Sequence, residues 1–125
     1  MKQEKRYTLI KSELILMNIV WGMGHPCGIH EIIEKYNEPR PAYTTVATFL
    51  KILTNKKFVD YKKGSGKTLL YFPGISRAQY TRQTMEDMKD NLFDGSASSL
   101  VKFFVSEEIL SPDEIQEILE LISRQ

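Results

Sequence analysis

Apolar positions recur at helical spacing over most of this chain and alternate in strand fashion only between residues 58 and 72. Ile10, Leu14, Met17 and Trp21 stand at i, i+4, i+7 and i+11 and form the stripe of a first helix, which Gly22 and Gly24 are expected to end. Beyond the loop His25-Pro26-Cys27, the residues Ile29, Ile32, Ile33 and Tyr36 repeat the pattern over a short second helix. The stretch Asn37-Glu38-Pro39-Arg40-Pro41 then breaks it, because proline disfavours helix at its own position and just before it. Val46, Phe49, Leu50 and Leu53 supply a third helical stripe. FVDYKK, GSGK and TLLYF follow as two β-prone runs around a glycine-containing turn, a hairpin with Lys62, Lys63 and Lys67 crowded at its tip.

Pro73-Gly74 closes this part, and helical patterning resumes from Ser76. After a break at Asp94-Gly95, Ala97, Leu100, Val101 and Phe104 align. A last helix opens on Ser111-Pro112-Asp113-Glu114, where serine caps, proline fits the first helical position and glutamate reaches back. Its face is Ile115, Ile118, Leu119 and Ile122. These late helices are too few to bury themselves, so a partner surface is expected. A symmetric homodimer through Leu100, Phe103, Phe104, Ile115, Ile118, Leu119 and Ile122 is the simplest. The alternative is that they fold back on the first part within a monomer. The fold class expected is mainly α with a small β hairpin: a winged helix-turn-helix over residues 1–75, then a helical dimerisation segment over 76–125.

The chain has 125 residues, 42% apolar and 26% charged, which suits one globular domain with an appendage. Its net charge of +1 hides an asymmetry. Residues 1–75 hold 12 Lys+Arg against 6 Asp+Glu, a net +6, whereas residues 76–125 hold 5 against 10, a net −5. A basic half suits a polyanion, and an acidic half is better kept away from one. No apolar run reaches the roughly 18 residues that span a bilayer, so no membrane insertion is expected. The single cysteine, Cys27, forms no internal disulfide, which fits a cytoplasmic protein.

Chemistry concentrates on the third helix. Opposite its apolar stripe stand Thr44, Thr48, Lys51 and Asn55, with Thr45 beside them. Threonine is a mediocre helix former, so solubility alone would favour Glu, Lys or Gln there. In a major groove, threonine hydroxyls meet base edges or phosphates, threonine methyls meet thymine, and Lys51 meets guanine or backbone. Tyr43, Thr44 and Thr45 occupy the N-terminal turn, the end that approaches bases in helix-turn-helix docking. Arg40 and the hairpin lysines Lys62, Lys63 and Lys67 would neutralise flanking phosphates of a double-stranded DNA operator. A winged-helix protein–protein adaptor that leaves DNA alone is the other reading.

Catalytic and metal constellations are poor. His30-Glu31-Ile32-Ile33-Glu34 fails the zinc-protease pattern at its second histidine, and Gly64-Ser65-Gly66-Lys67 lacks phosphate-loop spacing. No catalytic residue, metal ligand or cofactor is assigned. Cys27 precedes a helix start, where a dipole lowers a thiol pKa, so a redox thiol stands beside the structural reading.

Several blocks together resemble the penicillinase repressor family of winged-helix transcriptional regulators. They are Glu13-Leu14, Met17 and Val20-Trp21, then Ile29-His30-Glu31-Ile32, then Thr45-Val46-Ala47-Thr48-Phe49-Leu50 with Leu53 and Lys56. Tyr61-Lys62-Lys63, Leu70-Tyr71-Phe72-Pro73, Phe93-Asp94-Gly95-Ser96 and Ser99-Leu100-Val101 complete the match. The resemblance implies a dimeric repressor on a palindromic operator, paired through its C-terminal helices. In that family a membrane-bound β-lactam sensor leads to cleavage by a regulatory protease within the dimerisation segment, which ends repression. Phe103-Phe104 stands where the family's Asn-Phe scissile bond aligns, so cleavage with that preference is not expected here. Lys56-Lys57 replaces the Lys-Gly that ends the third helix in relatives. Copper-responsive relatives carry a C-terminal cysteine pair, and this chain ends in ELISRQ without one.

Overall fold

A computed structural model describes residues 7–125. Its elements run α1 (Lys11–Met23), α2 (Ile29–Glu34), α3 (Tyr43–Asn55), β1 (Val59–Lys63), β2 (Leu69–Pro73), α4 (Arg77–Leu92), α5 (Ala97–Ser106) and α6 (Pro112–Ser123). Helix, helix, helix, hairpin is the winged-helix order, and the fold is mainly α with one two-stranded antiparallel sheet. Two compact units result, one through Thr81 and one from Arg82 onward, so the division falls inside α4.

The first unit holds the core: Leu16, Met17 and Val20 of α1, Ile29 and Ile32 of α2, Val46, Leu50 and Leu53 of α3, and Phe58 and Val59 at the start of the hairpin. The buried stripe of α1 differs from the expected one. Leu9, Glu13, Leu16, Met17 and Val20 are buried, whereas Ile10 is 60% exposed and Leu14 and Trp21 are only partly covered. Both stripes obey helical spacing, because α1 is apolar almost all round. Its orientation brings Glu13 inward, where the carboxylate accepts the Ile10 N–H at 3.0 Å and pairs with Lys56 at 3.2 Å. The helix also continues through Gly22 and stops at Gly24, whose φ of 73° forms the left-handed cap.

His25-Pro26-Cys27, expected as loop, is partly recruited into the sheet. Cys27 exchanges both backbone hydrogen bonds with Tyr71, at 2.9 and 2.8 Å, which ties the end of α1 to β2.

α3 ends in a Schellman turn: the Lys57 N–H donates to the Thr54 carbonyl at 3.1 Å and the Phe58 N–H to the Leu53 carbonyl at 2.9 Å. Lys57 sits at φ 71°, a region that costs a side-chain-bearing residue about 1 kcal/mol. Lys57→Gly is therefore expected to raise stability by about 0.5–1 kcal/mol, read as a higher urea midpoint at unchanged m-value. The chain after β2 passes close by this turn. A Cβ on Gly74 would meet the Lys57 carbonyl oxygen at 2.6 Å, so no larger residue fits there without a shift.

α4 begins inside the first unit. Its Tyr80 is buried, accepts the Leu9 N–H at 2.9 Å and packs edge-on against Phe58 with ring centres 5.6 Å apart. Tyr80 is thus a core residue that charge and turn signals had placed with the later helices.

In the second unit α5 and α6 are well capped. The Ser96 hydroxyl accepts the Ser99 N–H at 3.0 Å, and Ser111 and Glu114 form the reciprocal box at 2.9 and 3.1 Å. The Ser111 backbone N–H, then its hydroxyl, hold the Glu114 carboxyl below its ordinary range. Yet no residue from Arg82 to Gln125 is buried.

Candidate nucleic-acid interface

Threonine and lysine on the outer face of α3 follow from the burial of its other face. With Val46, Leu50 and Leu53 fully enclosed, the helical turn of about 100° per residue leaves Thr44, Thr45, Thr48 and Lys51 exposed, with Tyr43 49% exposed at the first helical position. From Thr44 to Lys51 the helix rises about 10 Å, close to the width of a B-DNA major groove. The Thr48 hydroxyl donates to the Thr44 carbonyl at 2.8 Å, so its proton is engaged within the helix. Its oxygen still accepts and the side chain is exposed, so it can meet an amino group or a thymine methyl.

The start of α3 is uncapped. Ala42 is its N-cap and offers no side-chain acceptor, in contrast to Ser96 and Ser111. The Thr45 N–H donates to the Ala42 carbonyl at 3.1 Å, and the N–H groups of Tyr43 and Thr44 are left for solvent or for an anion, with the helix dipole behind them.

Beside that turn lies a hollow of about 580 Å³ between α2, α3 and the hairpin, bordered by His30, Tyr43, Lys67 and Thr68. It brings together two of the residues expected at DNA, Tyr43 and Lys67, and sets His30 and Thr68 beside them. His30 packs on Tyr43 with ring centres 5.1 Å apart, a pairing that no spacing pattern links. Thr68 is exposed next to the Gly66 turn, where the Gly64 N–H donates to its carbonyl at 2.8 Å.

The three hairpin lysines do not act as one cluster. Lys62 and Lys63 are adjacent on β1 and project to opposite faces, as strand geometry demands. Lys62 shares its face with Phe72 and borders a different hollow, near Trp21 and His25. Arg40 is held within the connection between α2 and α3, paired with Glu38 at 3.3 Å and donating to the Glu34 carbonyl at 3.4 Å.

The residues expected for pairing show a broad apolar surface on the second unit. Leu100, Phe104 and Ile115 are partly covered, while Phe103 (43%), Ile118 (37%), Leu119 (55%) and Ile122 (62%) are exposed. Leu92, Val101, Val105, Ile109 and Leu121 extend this surface beyond the expected set. Phe103 also packs against Phe93 of its own unit, ring centres 5.6 Å apart.

Cys27 sits where a redox thiol is disfavoured. It is buried with its Sγ 3.6 Å from the Tyr71 carbonyl, and burial, then the nearby Glu31 carboxylate, push its pKa up to about 11. The thiolate that redox chemistry needs is suppressed, because burial disfavours the charged form and the short α2 does not offset it. Among the described residues no helix is long and apolar enough to cross a membrane.

Residues 9–124 match the model of the family described as penicillinase repressor. The chain is 30% identical over 122 residues to the methicillin resistance regulatory protein MecI of Mammaliicoccus sciuri, covering 97% of this chain and 98% of that one. It is 23% identical over 112 residues to the penicillinase repressor of Bacillus licheniformis, covering 89% and 86% of the two chains. Among solved structures it is similar to Lactococcus lactis ZitR, with 16% identity, 98% of this chain and 77% of that chain covered, and a TM-score of 0.45. With the family model spanning nearly all of its length, the chain belongs to the penicillinase repressor family, whose members are transcriptional regulators and not enzymes.

Proposed function

We propose that this protein is a cytoplasmic homodimeric repressor that binds a palindromic double-stranded operator and is released when a signal separates the protomers. The observation that carries the reading is the outer face of α3: Thr44, Thr45, Thr48 and Lys51 exposed together behind an uncapped, anion-ready first turn. Thr48 and Lys51 read base edges, Tyr43, Thr44 and Thr45 approach at the N-terminal end, and Lys63 and Lys67 hold phosphate from the wing, with Lys62 and Arg40 as peripheral charges. Two such units joined by α5 and α6 address two half-sites. Linkage makes the second binding event intramolecular, so separating the protomers lowers affinity without touching the DNA-reading face.

The test is fluorescence anisotropy with duplex from upstream of the protein's own gene against scrambled duplex, across a salt series. The expected result is two protomers per operator, a slope of about −0.9 per neutralised phosphate, and a clear gap over scrambled DNA. Absence of binding even at low salt would reject the reading and favour a winged-helix adaptor between proteins.

Three substitutions refine it. Thr48→Ala is expected to change which sequences are preferred, whereas Lys63→Ala weakens every duplex alike and shallows the salt slope by about one unit. Ala42→Asp is expected to stabilise the fold by about 1 kcal/mol by capping α3, and to weaken binding to all duplexes, because the new carboxylate occupies the N–H groups a phosphate would use. Thermal denaturation and anisotropy on one preparation check both halves of that expectation.

A further inference from the structure

Between the end of α1 and the hairpin lies a second concavity, of about 410 Å³, within the range of small-molecule sites. Trp21, Pro26, Phe72 and Pro73 give it flat, apolar walls, and His25 and Lys62 stand on its lining. Among the described residues no carboxylate lines it. Asp60, the cross-strand neighbour of Phe72, accepts the Tyr61 N–H at 2.8 Å. The walls are anchored rather than adventitious. The Trp21 indole donates to the Ile75 carbonyl at 2.9 Å, the Arg77 guanidinium lies 5.5 Å from its ring centre, and the neighbouring Cys27 is bonded to β2 through its backbone.

Flat apolar walls with a lysine ammonium at the edge, and no acidic lining among the described residues, select a planar ring bearing a negative charge. We propose that this hollow, built from Trp21, Pro26, Phe72 and Pro73 with Lys62 at its edge, is a binding site for a small aryl carboxylate. The ring stacks against the indole and proline faces, and the carboxylate pairs with the Lys62 ammonium. The assignment concerns a face of the first unit separate from α3 and does not depend on the operator reading.

Trp21 is the sole tryptophan, so its indole N–H gives one resolved signal in a ¹H–¹⁵N correlation spectrum, recorded on the full chain without DNA. Phenylacetate and its neutral isostere phenylacetamide serve as probes. The expected result is a saturable shift of the indole signal with phenylacetate, and binding weaker by about fivefold with the amide. In Lys62→Met, whose exposed position leaves the fold intact, that preference falls to about onefold while ring binding persists; a dispersed spectrum confirms folding. No saturable shift with phenylacetate, equal binding of acid and amide, or an undiminished preference in Lys62→Met would each overturn the proposal.

Discussion

Replacing Leu119 and Ile122 together by aspartate is expected to yield a monomer that binds the operator about 10²–10⁴-fold more weakly than the parent protein. Both side chains are more than half exposed on α6, in a unit from Arg82 to Gln125 that buries no residue at all. Helices with this much uncovered leucine, isoleucine and phenylalanine lack a core of their own, and a second copy would supply the missing wall. Two carboxylates on that surface would have to lose their water on pairing, a cost that the apolar contacts cannot repay. Sedimentation measures the mass, and anisotropy on an intact operator measures the affinity. Glu120→Gln, on the same helix, is expected to change neither. A variant that keeps its dimeric mass would show that pairing uses another surface.

The second large effect concerns stability. Glu13 is 3% exposed, and its carboxylate joins the start of α1 to Lys56, just beyond the end of α3. Lys56 also lies over the Tyr7 ring, 5.4 Å from its centre. Glu13→Ala strands the Ile10 N–H and leaves the partly buried ammonium without its carboxylate, so a loss of about 3 kcal/mol is expected by urea denaturation. Lys56→Met alone leaves a buried carboxylate unpaired and is expected to cost a comparable amount. Glu13→Leu combined with Lys56→Met should recover most of the loss, because both charges are then gone and the space is filled with apolar atoms. A loss in this double variant equal to the sum of the Glu13→Leu and Lys56→Met losses would mean that the two side chains act independently.

That ion pair illustrates where sequence reading stopped. Spacing located all the helices and the hairpin, since the period of apolar residues differs between helix and strand. It misplaced the buried stripe of α1, because an element apolar on most of its circumference satisfies several stripes equally. A glutamate then turned out to be among the core-facing residues, paired with a lysine 43 positions away. The outer face of α3 was legible because its inner face was unambiguous: once Val46, Leu50 and Leu53 point inward, helical geometry leaves no choice for Thr44, Thr48 and Lys51. His30 beside Tyr43 was not legible, since two rings on different helices meet only after the helices pack. The same holds for Tyr80 under Leu9, and for Cys27, whose place before a helix suggested reactivity until burial and Glu31 raised its pKa.

By itself, the sequence determined what depends on neighbours along the chain: element order, the capping box of α6, the polar face of α3 and the charge split between the two halves. Tertiary structure alone decided what depends on distant residues meeting. It chose the side of α1 that is buried, sent Lys62 and Lys67 to hollows of different chemistry, and buried the Cys27 thiol. The physical reason is range: periodicity and capping act within a few residues, while the burial of one side of α1, the Glu13–Lys56 pair and the raised Cys27 pKa arise only where distant segments pack and exclude water.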